Sequence, residues 1–377
     1  MARLFQVFVA LLFAVFAVEA CFRLIIFPEY KALQEDTFQR HPVLGHFNRP
    51  NLELRRLKPG NYDTVVHTNA MGLRGTETDL KKELSGIWIG GDSNTFAAGV
   101  EDTETYVHRL REVGYQTANI ASEGHNLSSQ ALLLRYLAAE GYTPRAVVIG
   151  VSLYQGAVDL TEAQYTLAGS LDAATKNTGS DAKSTLLSGL RRFGQALPTS
   201  LRDVRAVLIT NSATYGWLRL GMLNVPAIYN WMKESGLRSD LNDVVSTDLD
   251  FLRPLDEANP ATVRISSTAD FAKQLGNWVK MTWDVPFGII LFPAYHQMYP
   301  ERFRLKDSSL DPMRPLTALT AALKRNGVAV LDLLPALKAS QIGSLVFPDD
   351  AHLNASSHDH VAKVVAHWLE TELSIMP

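Results

Sequence analysis

Residues 85–94 read Ser85-Gly86-Ile87-Trp88-Ile89-Gly90-Gly91-Asp92-Ser93-Asn94. A compact apolar run ends here in two glycines and a turn of acid, serine and amide, as expected of a buried strand that hands over to a polar loop. A second apolar run, Ala146–Val151 (AVVIGV), suits a fully buried parallel strand. Working outward, an amphipathic helix is expected at Glu104–Val113, a strand at Tyr115–Ile120 and a Leu- and Ala-rich helix at Ser128–Glu140. The same rhythm returns late in the chain, with a helix at Thr268–Val279, a strand at Phe287–Phe292 and a helix at Pro315–Arg325. A strand at Val328–Leu333 and a closing helix at His358–Leu373 complete it. Strands alternating with helices at this spacing imply a parallel sheet covered on both faces, a three-layer α/β/α body.

The N-terminal segment is different in kind. From Leu4 to Phe27 the chain reads LFQVFVALLFAVFAVEACFRLIIF, long and apolar enough for a membrane-spanning helix within residues 1–30. A cleaved signal peptide is the rival, since Val18-Glu19-Ala20 resembles a small-x-small cleavage site. Against cleavage, apolar character resumes at Leu24–Phe27, and Glu19 and Arg23 stand four apart, able to pair on one helix face. Arg3 and the amino terminus flank one side, while Glu29, Lys31, Glu35 and Asp36 give the other a slight acidic excess. That asymmetry favours a cytoplasmic N-terminus and a body outside the cytoplasm, although Arg23 weakens it.

Residues 31–80 read as a linker and irregular lead-in, punctuated by Pro42, Gly45, Pro50, Pro59 and Gly60, with a short strand at Asp63–Thr68. The body is expected over 81–377, interrupted by an insertion at about 156–265 that begins polar and ends helical and aromatic. The 377 residues, 46% hydrophobic, suffice for a large core. A net charge of -3 gives no concentrated basic surface for nucleic acid. One cysteine, Cys21, rules out an intrachain disulfide, a CxxC motif and a cysteine-based zinc site.

Ligands of open parallel sheets bind beyond the carboxyl ends of the strands. Ser93 falls there, and a backbone amide at the following turn is placed to stabilise an oxyanion. Taken alone, such a serine is more often a turn or cap residue. The C-terminal stretch Phe347-Pro348-Asp349-Asp350-Ala351-His352-Leu353-Asn354 changes the balance. Asp349, three residues before His352, is spaced to orient the imidazole and leave its other nitrogen to accept the serine proton. The plainer reading makes Asp349, Asp350 and Asn354 caps and His352 a surface histidine. His125 and His296 are candidate substrate contacts, as is Asn94, while His358, His360 and His367 lack metal-ligand spacing.

Taken together, these segments resemble the SGNH (GDSL-like) hydrolases, especially the bacterial kind whose catalytic domain follows one N-terminal membrane helix. Gly91-Asp92-Ser93 with its continuation to Asp102 matches the first family block. Asn119-Ile-Ala-Ser-Glu-Gly124-His-Asn fits the second, and Asp349-Asp-Ala-His352 the fifth. Lesser matches are Asn69-Ala-Met-Gly72-Leu-Arg74-Gly75 and Phe292-Pro293 with Gln297, and the likeness spans roughly residues 60–370 without the middle. It implies a flavodoxin-like sheet, Ser93 as nucleophile, His352 as base and Asp349 as acid. Backbone amides at Ser93 and Gly124 would form the oxyanion hole. One departure stands out. Where the third block supplies an asparagine, this chain reads Ser152-Leu153-Tyr154-Gln155-Gly156. Gln155 offers the same amide on a longer arm, and Tyr154 or Ser152 a hydroxyl.

The resemblance implies a serine esterase or O-acetyl transferase acting on an ester-bearing glycan or lipid-like substrate. It further implies a single-pass protein of the inner (cytoplasmic) membrane, its body on the periplasmic side. No metal or organic cofactor is implied. Two other classes stay open: a catalytically degenerate scaffold subunit in a membrane assembly, with membrane-protein partners, and a carbohydrate-binding module that keeps the cleft without turnover.

Overall fold

The computed structural model describes residues 2–26, 37–58, 61–77, 79–153, 212–223, 252–256, 259–300, 310–348 and 350–377, with the isolated positions 225, 227, 228 and 231. The chain opens with helix α1 (Ala2–Cys21), which continues as a π-helical turn, Phe22–Ile26. Among the described residues this is the one helix long and apolar enough to cross a membrane. None of the described side chains in its window Val9–Ile26 is buried.

The lead-in is more regular than its prolines and glycines suggest. β1 (Phe38–His41) pairs antiparallel with β2 (Gly45–Asn48), and β3 (Glu53–Lys58) with β4 (Tyr62–His67). Alternation on β3 puts Leu54, Arg56 and Lys58 on one face, and Leu54 is buried. Short apolar alternation was obscured in the sequence because Arg and Lys occupy inward positions. Arg74, nearly inaccessible at 2% exposure, fastens the lead-in to the body. Its guanidinium donates to Asp102 at 2.7 Å and to the Val100 carbonyl at 2.8 Å, over the Phe96 ring.

Helix α2 (Leu80–Leu84) leads into β5 (Ile87–Gly90), followed by the single-turn α3 (Ser93–Phe96), α4 (Tyr106–Glu112) and β6 (Thr117–Asn119). Then come α5 (Leu127–Ala139), β7 (Ala146–Ser152), α6 (Ala213–Leu223), α7 (Pro260–Trp283) and β8 (Phe287–Phe292). The chain closes with α8 (Tyr295–Met298), α9 (Arg314–Arg325), β9 (Ala329–Asp332), α10 (Leu334–Ala339) and α11 (Ala355–Glu372). The five strands β5–β9 form one all-parallel sheet in the order β6-β5-β7-β8-β9. Every residue of β5 and β6 is buried, as a strand covered on both sides requires.

Two neighbours on β8 show the layering. A side chain added at Gly276 of α7 would strike the Phe287 ring, and one added at Gly288 would strike Trp368 of α11. Successive strand residues point to opposite faces, so α7 and α11 lie on opposite sides of the sheet. On the α7 side Trp88 packs edge-on against Trp283 and donates its indole N–H to the Leu84 carbonyl at 2.8 Å. On the α11 side His358 stacks on Tyr106 at 5.9 Å. α7 starts eight residues before its expected boundary, where Asn259 caps Ala261 and Pro260 takes the first helical position. The chain passes from β5 to β6 on one side and from β6, through α5, to β7 on the other side of β5, so the order reverses at β5. The crevice at that reversal is where open α/β sheets bind ligands.

Candidate active site

Gly91 lets the chain leave β5 sharply. Its φ is +145°, and an added Cβ would lie 2.5 Å from Thr95 Oγ1 and 2.8 Å from the Gly150 carbonyl oxygen, so neither conformation nor space admits a side chain. Asp92 caps the next turn by accepting from the Asn94 amide at 2.9 Å. Ser93 therefore opens α3, and its N–H is among the amides that a helix start leaves without an intrahelical partner.

On the far side of the crevice, Val346 and Leu353 bridge to close a short loop ahead of α11. This loop turns His352 toward β5, where its Nε2 lies 2.8 Å from Ser93 Oγ. The other ring nitrogen, Nδ1, is hydrogen-bonded to Asp350, whose same oxygen accepts the His352 backbone N–H at 3.0 Å. The acid on His352 Nδ1 is Asp350; Asp349, the acid expected from the sequence, lies outside the described residues. Donor and acceptor stand two positions apart, the reach of an Asx turn in which one carboxylate holds both the amide and the ring.

Charges around the pair reinforce it. Burial disfavours a charged imidazole, yet the Asp350 hydrogen bond and charge, with Glu123 and Asp92 adding, hold His352 above its ordinary value. Burial likewise works against the Asp350 carboxylate, but His352 and Lys58 hold it well below the usual carboxylate range. Lys58 Nζ reaches the second Asp350 oxygen at 2.6 Å. Arg56, two residues earlier on β3, makes an ion pair with Glu123, the neighbour of Gly124.

Gly124 sits in a turn in which His125 N–H donates to the Ser122 carbonyl at 3.1 Å, while Ser122 N–H donates to Gly91 at 3.1 Å. That bond sets the turn beside the Ser93 loop. Gly124 has φ +76° with nothing within 4 Å of an added Cβ, so its glycine serves conformation and not space. Gln155 and Tyr154, expected as further donors, lie outside the described residues. Ser152, at the carboxyl end of β7, receives the Asn94 side-chain amide at 2.8 Å and hydrogen-bonds Asp92. Burial pushes the Asp92 carboxyl up, against those bonds from Ser152 and from the Asn94 amide. Asn94 therefore ties β5 to β7 across the reversal of strand order.

Two expected substrate contacts turn inward. His125 is 6% exposed, its Nε2 at 2.8 Å from the His46 carbonyl and its Nδ1 at 3.1 Å from Gln130, and burial lowers it to about 4. His296 is equally buried, hydrogen-bonded to the Pro312 backbone, and burial lowers it too, to about 4. Each ring holds a loop to the body, His125 through both of its nitrogens, where their sequence neighbours suggested a rim position. Sequence reasoning missed Asp350, Lys58, Arg56 and Glu123. The signals were present: an Asp-x-His spacing for the first, and Arg56-x-Lys58 alternating onto one strand face for the cations.

Fold and site together define an α/β protein with a Ser–His–Asp arrangement at the carboxyl edge of a five-stranded parallel sheet. No family model matches the chain, and no curated protein is similar enough to match it. Among solved structures it is similar to a member of the lipolytic protein G-D-S-L family from Veillonella parvula, at 11% identity and a TM-score of 0.35, covering 77% of this chain and 98% of that one. A candidate SGNH hydrolase from Slackia heliotrinireducens is similar at 12% identity and a TM-score of 0.33, covering 75% and 97%. LAE5, an alpha/beta hydrolase from the metagenome of Lake Arreo, Spain, is similar at 14% identity and a TM-score of 0.35, covering 75% and 94%. Likenesses this distant say nothing of substrate or site.

Proposed function

We propose that this chain is a membrane-anchored serine ester hydrolase or acyltransferase. The carrying observation is the 2.8 Å contact between Ser93 Oγ and His352 Nε2, with Asp350 behind the ring. Ser93 attacks the ester carbonyl while His352 takes its proton, and Asp350 keeps the imidazole in the tautomer that leaves Nε2 free. The Ser93 and Gly124 amides receive the oxyanion, with Gln155 a further donor. As the intermediate collapses, His352 returns the proton to the leaving alkoxide. Water, or an acceptor hydroxyl in a transferase, then resolves the acyl-enzyme by the same base. An O-acetyl group on a glycan, or a lipid-like ester, suits a body held at a membrane outside the cytoplasm.

The anchor reading has its own support. Glu19 hydrogen-bonds Ser212 and the backbone N–H of Ala213, so the segment that cleavage would remove is tied to α6, later in the same chain. The test treats the full chain in detergent with a serine-directed fluorophosphonate, beside Ser93→Ala, and follows p-nitrophenyl acetate turnover. Labelling and turnover that vanish with Ser93 support the enzyme. A folded chain that neither labels nor turns over supports a scaffold instead.

A further inference from the structure

Glu19 is a carboxylate inside an apolar stretch. The membrane-crossing window runs Val9–Ile26, and Glu19 lies well within it. Ionisable groups at that depth need partners, because hydrocarbon offers none. Glu19 has four donors. Oε1 accepts from Ala213 N at 2.6 Å and from Arg23 Nε at 2.9 Å, and Oε2 accepts from Ser212 Oγ at 2.9 Å and Thr214 N at 3.3 Å. Three of the four belong to the start of α6, so whatever depth Glu19 occupies, the first turn of α6 shares it.

The rest of α6 fits that depth. Phe22 meets Trp217 edge-on at 5.4 Å, continuing the contact one turn along both helices. Leu218 and Met222, four apart, share a stripe beside Trp217, and all three are exposed, Trp217 at 43% and Leu218 at 49%. Between the helices runs a groove of about 420 Å³ lined by Leu11, Val15 and Val18 of α1 with Tyr215 and Leu218 of α6. Eleven helical residues extend about 16 Å, half of what a hydrocarbon core requires. A helix so short, with Trp and Tyr toward its start, suits the interfacial zone of a single leaflet.

We propose that α6 is a second membrane-seated element, latched to α1 by Glu19, with its Trp217–Leu218–Met222 face in the lipid of the leaflet nearest the body. The occupant of this face is the bilayer, because the face continues the lipid-exposed surface of α1. The inference rests on the anchor reading above.

The test uses the full chain with Cys21→Ser, reconstituted in phosphatidylcholine–phosphatidylglycerol vesicles. A single cysteine is introduced by Leu218→Cys, by Phe13→Cys on the anchor, or by Asp359→Cys on α11 as an aqueous reference, and each carries the environment-sensitive NBD dye. The expected result is a blue-shifted emission at 218 and at 13, quenched by spin-labelled lipid, with 359 quenched only from water. Lipid labelled near the headgroup should quench 218 more than lipid labelled at the chain end. Adding Glu19→Ala should move 218 into water while leaving 13 in lipid. If 13 is in lipid and 218 responds only to the aqueous quencher, the inference fails and the anchor stands. If 13 is also in water, the anchor reading has failed and carries this one with it. Shielding of 218 from both quenchers would put a protein partner on the face and overturn the proposal.

Discussion

Lys58 on β3 places its Nζ 2.6 Å from Oδ2 of Asp350, a residue 292 positions further along the chain. Arg56, on the same strand face, holds Glu123 in the turn that carries Gly124. One strand of the lead-in therefore braces both halves of the proposed machinery, the base loop and the oxyanion turn. Lys58 acts through Asp350 and is a positioning residue.

Removing that cation tests the brace. Lys58 shares the Asp350 carboxylate with His352, so Lys58→Met leaves the whole negative charge to the imidazole. The protonated ring is then favoured further, and the acid limb of activity should move up by roughly half to one pH unit. Lys58→Arg keeps the charge and should restore the midpoint. A role in holding the hairpin alone would lower the rate in both variants without moving the midpoint. The measurement is the pH dependence of fluorophosphonate labelling in the three proteins.

The identity of the acid is separately testable. Asp350→Asn turns a carboxylate that fixes the tautomer into an amide that fixes the wrong one, and a loss of about 10⁴-fold in kcat is expected. Asp349→Asn should stay within a few-fold of the parent, since the position on Nδ1 is already filled by Asp350. Equal losses in the two variants, read as kcat on p-nitrophenyl acetate, would argue that the carboxylates exchange places.

The pH profile of the unaltered chain follows from the same charges. His352 must be unprotonated at Nε2 to accept the Ser93 proton. Because Asp350, Glu123 and Asp92 outweigh burial and raise it, protonation sets in at a higher pH than for a free imidazole. The acid limb of kcat/KM should therefore have its midpoint above the ordinary value of about 6.5. Asp350 is held far below that range and remains charged throughout it. A midpoint at or below the ordinary value would show that the imidazolium is not stabilised in solution.

The sheet was legible in the sequence because buried parallel strands are written as short apolar runs, and β5, β7 and β8 contain little else. Ser93 and His352 could be read from position, one after a strand and the other ahead of the closing helix. Of the lead-in, β4 could, as the strand expected at Asp63–Thr68; its partner β3 could not, because its inward positions carry Arg56 and Lys58, whose function is to meet carboxylates and not to fill a core. Asp349 and Asp350 are adjacent and identical in type, so only the loop conformation decides which faces the ring. His125 and His296 looked like rim residues because each follows a strand or its turn; their burial depends on partners, the His46 carbonyl and the Pro312 backbone, that are distant in sequence.

Two glycines of the site separate conformation from space. At Gly91 the backbone sits at φ +145°, and a methyl group would also press on Thr95 Oγ1 and the Gly150 carbonyl. Thr95 cannot retreat freely, because its hydroxyl receives the Tyr106 O–H at 3.2 Å and its carbonyl accepts from Asn119 at 2.9 Å. Gly91→Ala should therefore cost about 3 kcal/mol or more, backbone strain and clash together. At Gly124 the backbone is left-handed but the space is open, so Gly124→Ala meets strain alone, about 1–2 kcal/mol. Thermal unfolding of the full chain in detergent should rank the two variants in that order. Fluorophosphonate labelling below the transition should survive better in Gly124→Ala, whose turn can keep its amide in place. The reverse ranking would mean that the turn after β5 is looser than its contacts require, and that Ser93 is not rigidly presented to His352.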